Sequence, residues 1–191
     1  MKQFILASQS PSRKDLLEHT GIDFSVVVSD YEEDMSMNVT PEELARILSQ
    51  GKARDVARRS KNAVVLGADS FAVYDGQLLG KPHTQERARE VLMMLSGQAH
   101  DFLTGFTIID ADTDKEYSEV VHTKVYFRDL SSEDIDNYLM KENVLKNAGS
   151  YKSQELGSVL IEKIEGSATN VVGLPMAQIA VALKEFGVAF L

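Results

Sequence analysis

Apolar and polar positions change period several times along the chain, and each change marks an element. Phe4-Ile5-Leu6-Ala7 is a continuous apolar run of strand length, after which Ser10-Pro11 opens a helix carrying Leu16 and Leu17. Gly21 closes that helix, and residues 23–28 read as a second strand. Thr40-Pro41-Glu42-Glu43 has the form of a capping box with proline at the first helical position, followed by the stripe Leu44, Ile47 and Leu48. Residues 63–67 are uninterruptedly apolar, which predicts a buried central strand delivering Ala68-Asp69-Ser70 at its carboxyl end. Residues 71–74, the turn Asp75-Gly76 and residues 77–79 predict a hairpin. A helix over 84–95 follows, stopped by Ser96-Gly97. Strands over 101–109 and 116–127 then form an antiparallel ribbon around a turn-rich stretch, and an acidic-fronted helix starts at Ser131. Residues 147–154 read as a polar loop too rich in small residues to build core. A strand over 158–163 and a helix over 175–186 complete an α/β chain with no internal repeat.

Composition narrows the classes. At 191 residues, with 43% apolar and 26% charged residues, the chain suits one globular domain, 1–191, and its four Pro and twelve Gly leave no linker tract. The longest apolar runs are far shorter than a membrane span and no leader pattern is present, so a cytoplasmic protein without membrane contact is expected. No cysteine is available for thiol chemistry, and the four His lack metal-pair spacing. A net charge of −9 argues against nucleic acid as a partner, since that partner rewards a basic face. An acidic protein that binds a small polyanion must gather its cations locally or recruit a divalent metal.

The candidate chemistry follows from placement. The free N–H groups of a first helical turn, the hydroxyls of Ser8 and Ser10, and the Arg13 guanidinium form a suitable anion site, although Ser-Pro also opens helices that bind nothing. Lys52 lies one turn beyond Leu48 at the border of an apolar face, where it either leans into a cleft or stays solvated. Lys81 is fixed between Gly80 and Pro82. Asp69, at a strand's carboxyl end, reads as a functional acid or as a turn former. The acidic loop around Glu33 is either a solvated loop or a seat for a hard cation. Cations on three elements and carboxylates on two loops are the set that phosphoryl chemistry asks for: charge neutralisation, a bridging metal and a carboxylate to orient water. Neither a P-loop nor a dinucleotide fingerprint is present.

The ordered motifs Leu6-Ala7-Ser8-Gln9-Ser10-Pro11-Ser12-Arg13, Gly67-Ala68-Asp69-Ser70, Gly80-Lys81-Pro82, Leu95-Ser96-Gly97, Thr104-Gly105, Ala148-Gly149-Ser150-Tyr151 and 170–175 resemble the Maf family of nucleoside triphosphate pyrophosphatases over nearly the whole chain. The resemblance implies a Maf/inosine triphosphate pyrophosphatase-like α/β fold, with an elongated mixed β-sheet flanked by helices and two lobes around a central cleft. It implies hydrolysis of a nucleoside triphosphate between the α and β phosphates to give the monophosphate and pyrophosphate. By position it implies Asp69 as the catalytic acid and a metal ligand, Glu33 as the second metal ligand, and Ser8, Ser10, Arg13, Lys52 and Lys81 as substrate-binding groups. The implied cofactor is a divalent cation, Mg²⁺, with Mn²⁺ or Co²⁺ as alternatives, and a homodimer is compatible with the family.

Base choice is implied at Ser12, Ser70 and Gln154. Many members carry Arg at position 12 and Asp-Glu at positions 32–33, so one cation is missing here. Residues 134–142 and 150–153 look more like the 7-methyl-GTP branch, whereas the neutral Gln154 amide suits an uncharged pyrimidine edge and the dTTP/UTP branch. The expectation is 7-methyl-GTP, with dTTP/UTP or modified pyrimidines as the alternative. A non-catalytic nucleotide-binding regulator of septum formation is the alternative of another class.

Overall fold

Ala63–Tyr74 forms one strand of twelve residues, where the sequence predicts two shorter ones separated at Asp69. Nothing between Gly67 and Tyr74 supplies a turn. The positive φ values that reverse the chain come only at Asp75 (φ 49°) and Gly76 (φ 72°), the primed hairpin turn that the Asp-Gly pair predicts. Asp69 therefore sits inside a strand and not beyond the end of one, a correction to the sequence reading.

The computed structural model describes residues 2–191. Its strands are β1 (Gln3–Ala7), β2 (Ser25–Val26), β3 (Ala63–Tyr74), β4 (Gln77–Leu79), β5 (Ala99–Asp110), β6 (Glu116–Phe127) and β7 (Ile161–Glu165). The helices are α1 (Pro11–Glu18), α2 (Pro41–Ala57), α3 (Gln85–Leu95), α4 (Ser132–Lys141), α5 (Ala168–Val172) and α6 (Met176–Lys184). The seven strands form one mixed sheet in the order β2-β1-β3-β5-β6-β7, with β4 paired to β3. β1 runs parallel to β2 and β3, whereas β4 and β7 run antiparallel to their neighbours. No helix among the described residues is long and apolar enough to cross a membrane.

The chain divides into two compact units. The first takes in the chain through Asp69, Thr104–Val121 and Gly173–Leu191; the second takes in Ser70–Leu103 and His122–Val172.

In the first unit, Phe4 and Leu6 of β1 pack with Val64 and Leu66 of β3, Phe106, and Ile179 and Leu183 of α6. The alternate residues Ile5, Ala7, Ala63 and Val65 pack on the other face against Ala53 and Val56 of α2. Both faces of these strands are covered, which is why they read as continuous apolar runs. α2 lies close to the sheet. A Cβ at Gly67 would stand 2.6 Å from the Ser49 carbonyl oxygen, and one at Gly105 would stand 2.3 Å from that of Ala45. A buried hydrogen bond of 2.9 Å between the Ser49 and Thr107 hydroxyls fixes the same contact. The Thr40–Glu43 capping box forms as the sequence predicts.

In the second unit, α3 and α4 contribute Ala88, Val91, Leu92, Leu95, Ile135 and Tyr138 to a core with Phe102, Val125 and Phe127. Tyr151 belongs to that core as well, so the stretch read as a polar loop does build core, through its one aromatic residue. Its hydroxyl lies 2.8 Å from Nε2 of the buried His100, whose ring meets Tyr151 and Phe127 edge-on. Burial pushes His100 down to about 4 and Tyr151 upward.

Three further expectations shift. β2 is confined to Ser25–Val26: past the register Leu6↔Val26, the Val27 N–H still donates to the Leu6 carbonyl at 3.1 Å, but the Val28 carbonyl accepts from Arg59. The strand predicted over 158–163 begins only at Ile161, since Glu155–Leu160 forms a 3-10 turn with Glu155 at φ 51°. α5 was not anticipated, and at five residues it is too short to show a helical period.

Candidate active site

α1 begins as predicted, with Pro11 in its first turn and Ser10 at the N-cap. The Ser10 side chain makes no capping bond. The turn before it is tied instead through Ser8, which is buried and whose Oγ accepts from the Ser10 N–H at 3.2 Å. Ser12 is half-buried in the first turn of α1.

Arg13 is buried, at 8% exposure, and its guanidinium is engaged with protein oxygens. Nε donates to the Gly173 carbonyl at 2.9 Å, and Nη1 donates to the Ala68 carbonyl at 2.8 Å and to Ser8 Oγ at 3.4 Å. Burial lowers its pKa from the ordinary value, while the carboxylates of Asp69 and Glu33 pull the other way.

Those two carboxylates meet on one ammonium. Lys52 Nζ lies 2.8 Å from Glu33 Oε1 and donates to Asp69 Oδ1. The Lys52 and Asp69 side chains are 12% and 10% exposed, against 38% for Glu33, so the inner pair is shielded and the outer acid faces water. Lys52 reaches this point because Gly67 and Gly105 let the α2 backbone settle on the sheet, with Gly67 two residues before Asp69 on β3. Sequence reasoning did not pick out these glycines as seats for α2. Their signal is a glycine in the interior of an apolar strand, where close backbone approach is the usual cause.

The first unit thus brings together Ser8, Ser10, Ser12, Arg13, Glu33, Lys52 and Asp69. Ser70, Lys81 and Gln154 belong to the second unit. Ser70 follows Asp69 on β3 and is half-buried; Lys81 is exposed in the segment between β4 and α3; Gln154 is exposed at the start of the 3-10 turn Glu155–Leu160.

Among the described residues no three His, Asp or Glu side chains gather as a protein-only metal cage. Two hard oxygen donors that converge on one positive charge nevertheless fit Mg²⁺, which takes one or two carboxylates and fills its remaining positions with water and phosphate oxygens. With cations and serine hydroxyls beside them, the set suits a phosphate-bearing ligand accompanied by such a cation.

Comparison with known proteins agrees in character. A dTTP/UTP pyrophosphatase of Bacillus cereus (strain G9842) is 40% identical over 188 residues, covering 98% of this chain and 97% of that protein. One of Bacillus anthracis (strain CDC 684 / NRRL 3495) is 39% identical over 188 residues with the same coverage. A HAM1 protein from Coxiella burnetii superposes with a TM-score of 0.45 at 19% identity, over 66% of this chain and 73% of that one, a likeness too low to argue from. The sequence profile of the Maf-like proteins matches residues 3–186, and the chain belongs to that family.

Proposed function

We propose that the chain hydrolyses nucleoside triphosphates between the α and β phosphates, releasing the monophosphate and pyrophosphate, with dTTP and UTP as its preferred substrates. The observation that carries the reaction class is the convergence of Glu33 and Asp69 on Lys52 beside the serine-rich start of α1. Asp69, shielded and held at a fixed point, orients the attacking water and accepts its proton as the new bond to the α phosphorus forms. The Ser8 and Ser10 hydroxyls and the Lys52 ammonium meet phosphate oxygens, offsetting the charge that builds on them and on the departing pyrophosphate. Glu33 and Asp69 would hold a divalent cation, which supplies further charge neutralisation on the phosphates.

The base preference rests on the relatives, which carry the name dTTP/UTP pyrophosphatase and align over nearly the whole chain. The stretch that points toward 7-methyl-GTP has other work in this fold. Asp134 completes a capping box with Ser131, Asp136 pairs with Arg89, Tyr138 OH accepts from the Lys152 N–H, and Glu142 pairs with Lys152. Residues spent on caps and ion pairs say little about a base, and the neutral Gln154 amide suits an uncharged pyrimidine.

The test incubates the purified protein with Mg²⁺ and dTTP, UTP, 7-methyl-GTP, CTP, GTP or ATP, measures pyrophosphate release, and runs Asp69→Asn in parallel. Release from dTTP and UTP that disappears in the variant is the expected result. Preference for 7-methyl-GTP would overturn the base assignment alone. Nucleotide binding without release from any substrate would overturn the reaction and favour a binding regulator.

A further inference from the structure

Arg13 was expected to face the phosphates, yet its geometry directs it elsewhere. The β1–β3 ladder runs from Gln3↔Ala63 to Ala7↔Gly67, and at Ser8 the chain leaves the sheet to begin α1. Ala68 is therefore the first residue of β3 past the end of that ladder, and Asp69 is the next. The Ala68 carbonyl receives its hydrogen bond from Arg13 Nη1 at 2.8 Å, a side chain standing where the neighbouring strand would have continued. The same guanidinium binds the Gly173 carbonyl at 2.9 Å and Ser8 Oγ at 3.4 Å, so three of its five N–H groups join three separate segments of the first unit. A planar fork reaches these acceptors from two nitrogens, Nε and Nη1, whereas the three donors of a lysine ammonium all sit on one.

We propose that Arg13 is a positioning residue for Asp69, acting through the Ala68–Asp69 peptide and not as a ligand of the substrate phosphate. Asp69 is then fixed at two points, its carboxylate by Lys52 and its main chain by Arg13. The serine hydroxyls and Lys52 are left to meet the phosphates. The inference rests on the pyrophosphatase reading, within which it changes the role of one residue.

The two roles predict opposite kinetics. Arg13→Lys keeps the positive charge but gives up the two-nitrogen fork that joins both carbonyls and Ser8. If Arg13 positions Asp69, kcat for dTTP falls by about 10²-fold, the usual penalty for a small misplacement of a catalytic group, while KM and the affinity for inorganic pyrophosphate by calorimetry stay near wild type. If Arg13 is a phosphate ligand, KM rises, pyrophosphate affinity falls and kcat changes less, which would overturn the proposal. Thermal unfolding confirms that the variant is folded. Should Arg13→Lys fail to fold, Arg13→Gln, whose amide can still donate to carbonyls, is read the same way. Failure of both to fold would assign Arg13 to stability and overturn the positioning role. A wild-type protein that releases no pyrophosphate overturns the reaction itself, an outcome distinct from a raised KM in an otherwise active system.

Discussion

Lys52 donates from its ammonium to the carboxylate of Asp69, joining α2 to β3 across 17 residues of sequence. Glu33, 2.8 Å from the same nitrogen, makes Lys52 the shared counter-ion of both acids. A divalent cation held by those acids, as proposed, would take over this role, and Lys52 would then yield its contacts, in part or whole. Lys52→Met removes the competitor. The expected outcome is tighter Mn²⁺ binding to the nucleotide-free variant than to wild type, followed by electron paramagnetic resonance, together with a large loss of pyrophosphate release because the proposed phosphate contact is gone. Weaker Mn²⁺ binding in the variant would show that the two acids are not metal ligands.

The approach of α2 to the sheet sets the reach of Lys52, and Gly67 controls that approach. In Gly67→Ala the new Cβ would lie 2.6 Å from the Ser49 carbonyl oxygen and 2.7 Å from the Ala53 nitrogen, both backbone atoms that cannot rotate away. The helix must shift outward, with an overpacking cost of about 1–3 kcal/mol. A lower unfolding midpoint in denaturant is expected, with a fall in kcat larger than that in Gly21→Ala. Gly21 has open space around it and lies outside the cluster, so it reports backbone strain at φ 72° alone. Equal kcat in the two variants would separate α2 placement from catalysis.

The local rules made most of this fold legible. The Thr40–Glu43 cap, the acidic-fronted helix start at Ser131, the Asp75-Gly76 turn and the full extent of Glu116–Phe127 follow from short-range chemistry, and they form as the pattern predicts. The breaks assigned at Asp69 and near Ser158 fail for a shared reason. A polar residue inside a strand and a strand-like run inside a 3-10 turn are decided by partners distant in sequence, here Lys52 for Asp69 and Phe127 for Ile161. In the site, Asp69, Lys52 and Glu33 were legible as chemistry. The use of Arg13 on carbonyls was not, because main-chain acceptors such as Ala68 and Gly173 carry no side-chain signature.

Asn170 tests how the second unit holds the segment before Gly173. Fully buried, it donates from Nδ2 to the Phe102 carbonyl at 3.1 Å and to Thr123 Oγ1 at 3.0 Å. Asn170→Ala leaves both acceptors buried without that donor, which costs about 1–3 kcal/mol. A chemical denaturation midpoint lowered accordingly is expected. Asn170→Asp, which keeps the size but loses the donor, should be at least as destabilising; a milder effect than alanine would mean that volume and not the hydrogen bonds is what matters.

His100 links the stability of the second unit to pH. Burial holds its pKa at about 4 in the folded chain against an ordinary 6.5, so between these values the unfolded chain carries a proton that the folded chain does not. The unfolded state binding more protons means that stability is complete above about 6.5 and is lost as the pH falls toward 4. A displacement of this size is worth about 3 kcal/mol in all, near 1.4 kcal/mol for each pH unit crossed. Carboxylates held low by their partners, such as Asp110 with Lys2, act at the acid end in wild type and variant alike, so a difference experiment isolates the imidazole. His100→Gln removes the titration while keeping a polar group near Tyr151. Denaturant unfolding at successive pH values from 7 to 4 should therefore show a steeper decline in wild type than in the variant. Parallel declines would mean that His100 takes up its proton in the folded protein at the ordinary value, and that the Tyr151 contact does not exclude water from the ring.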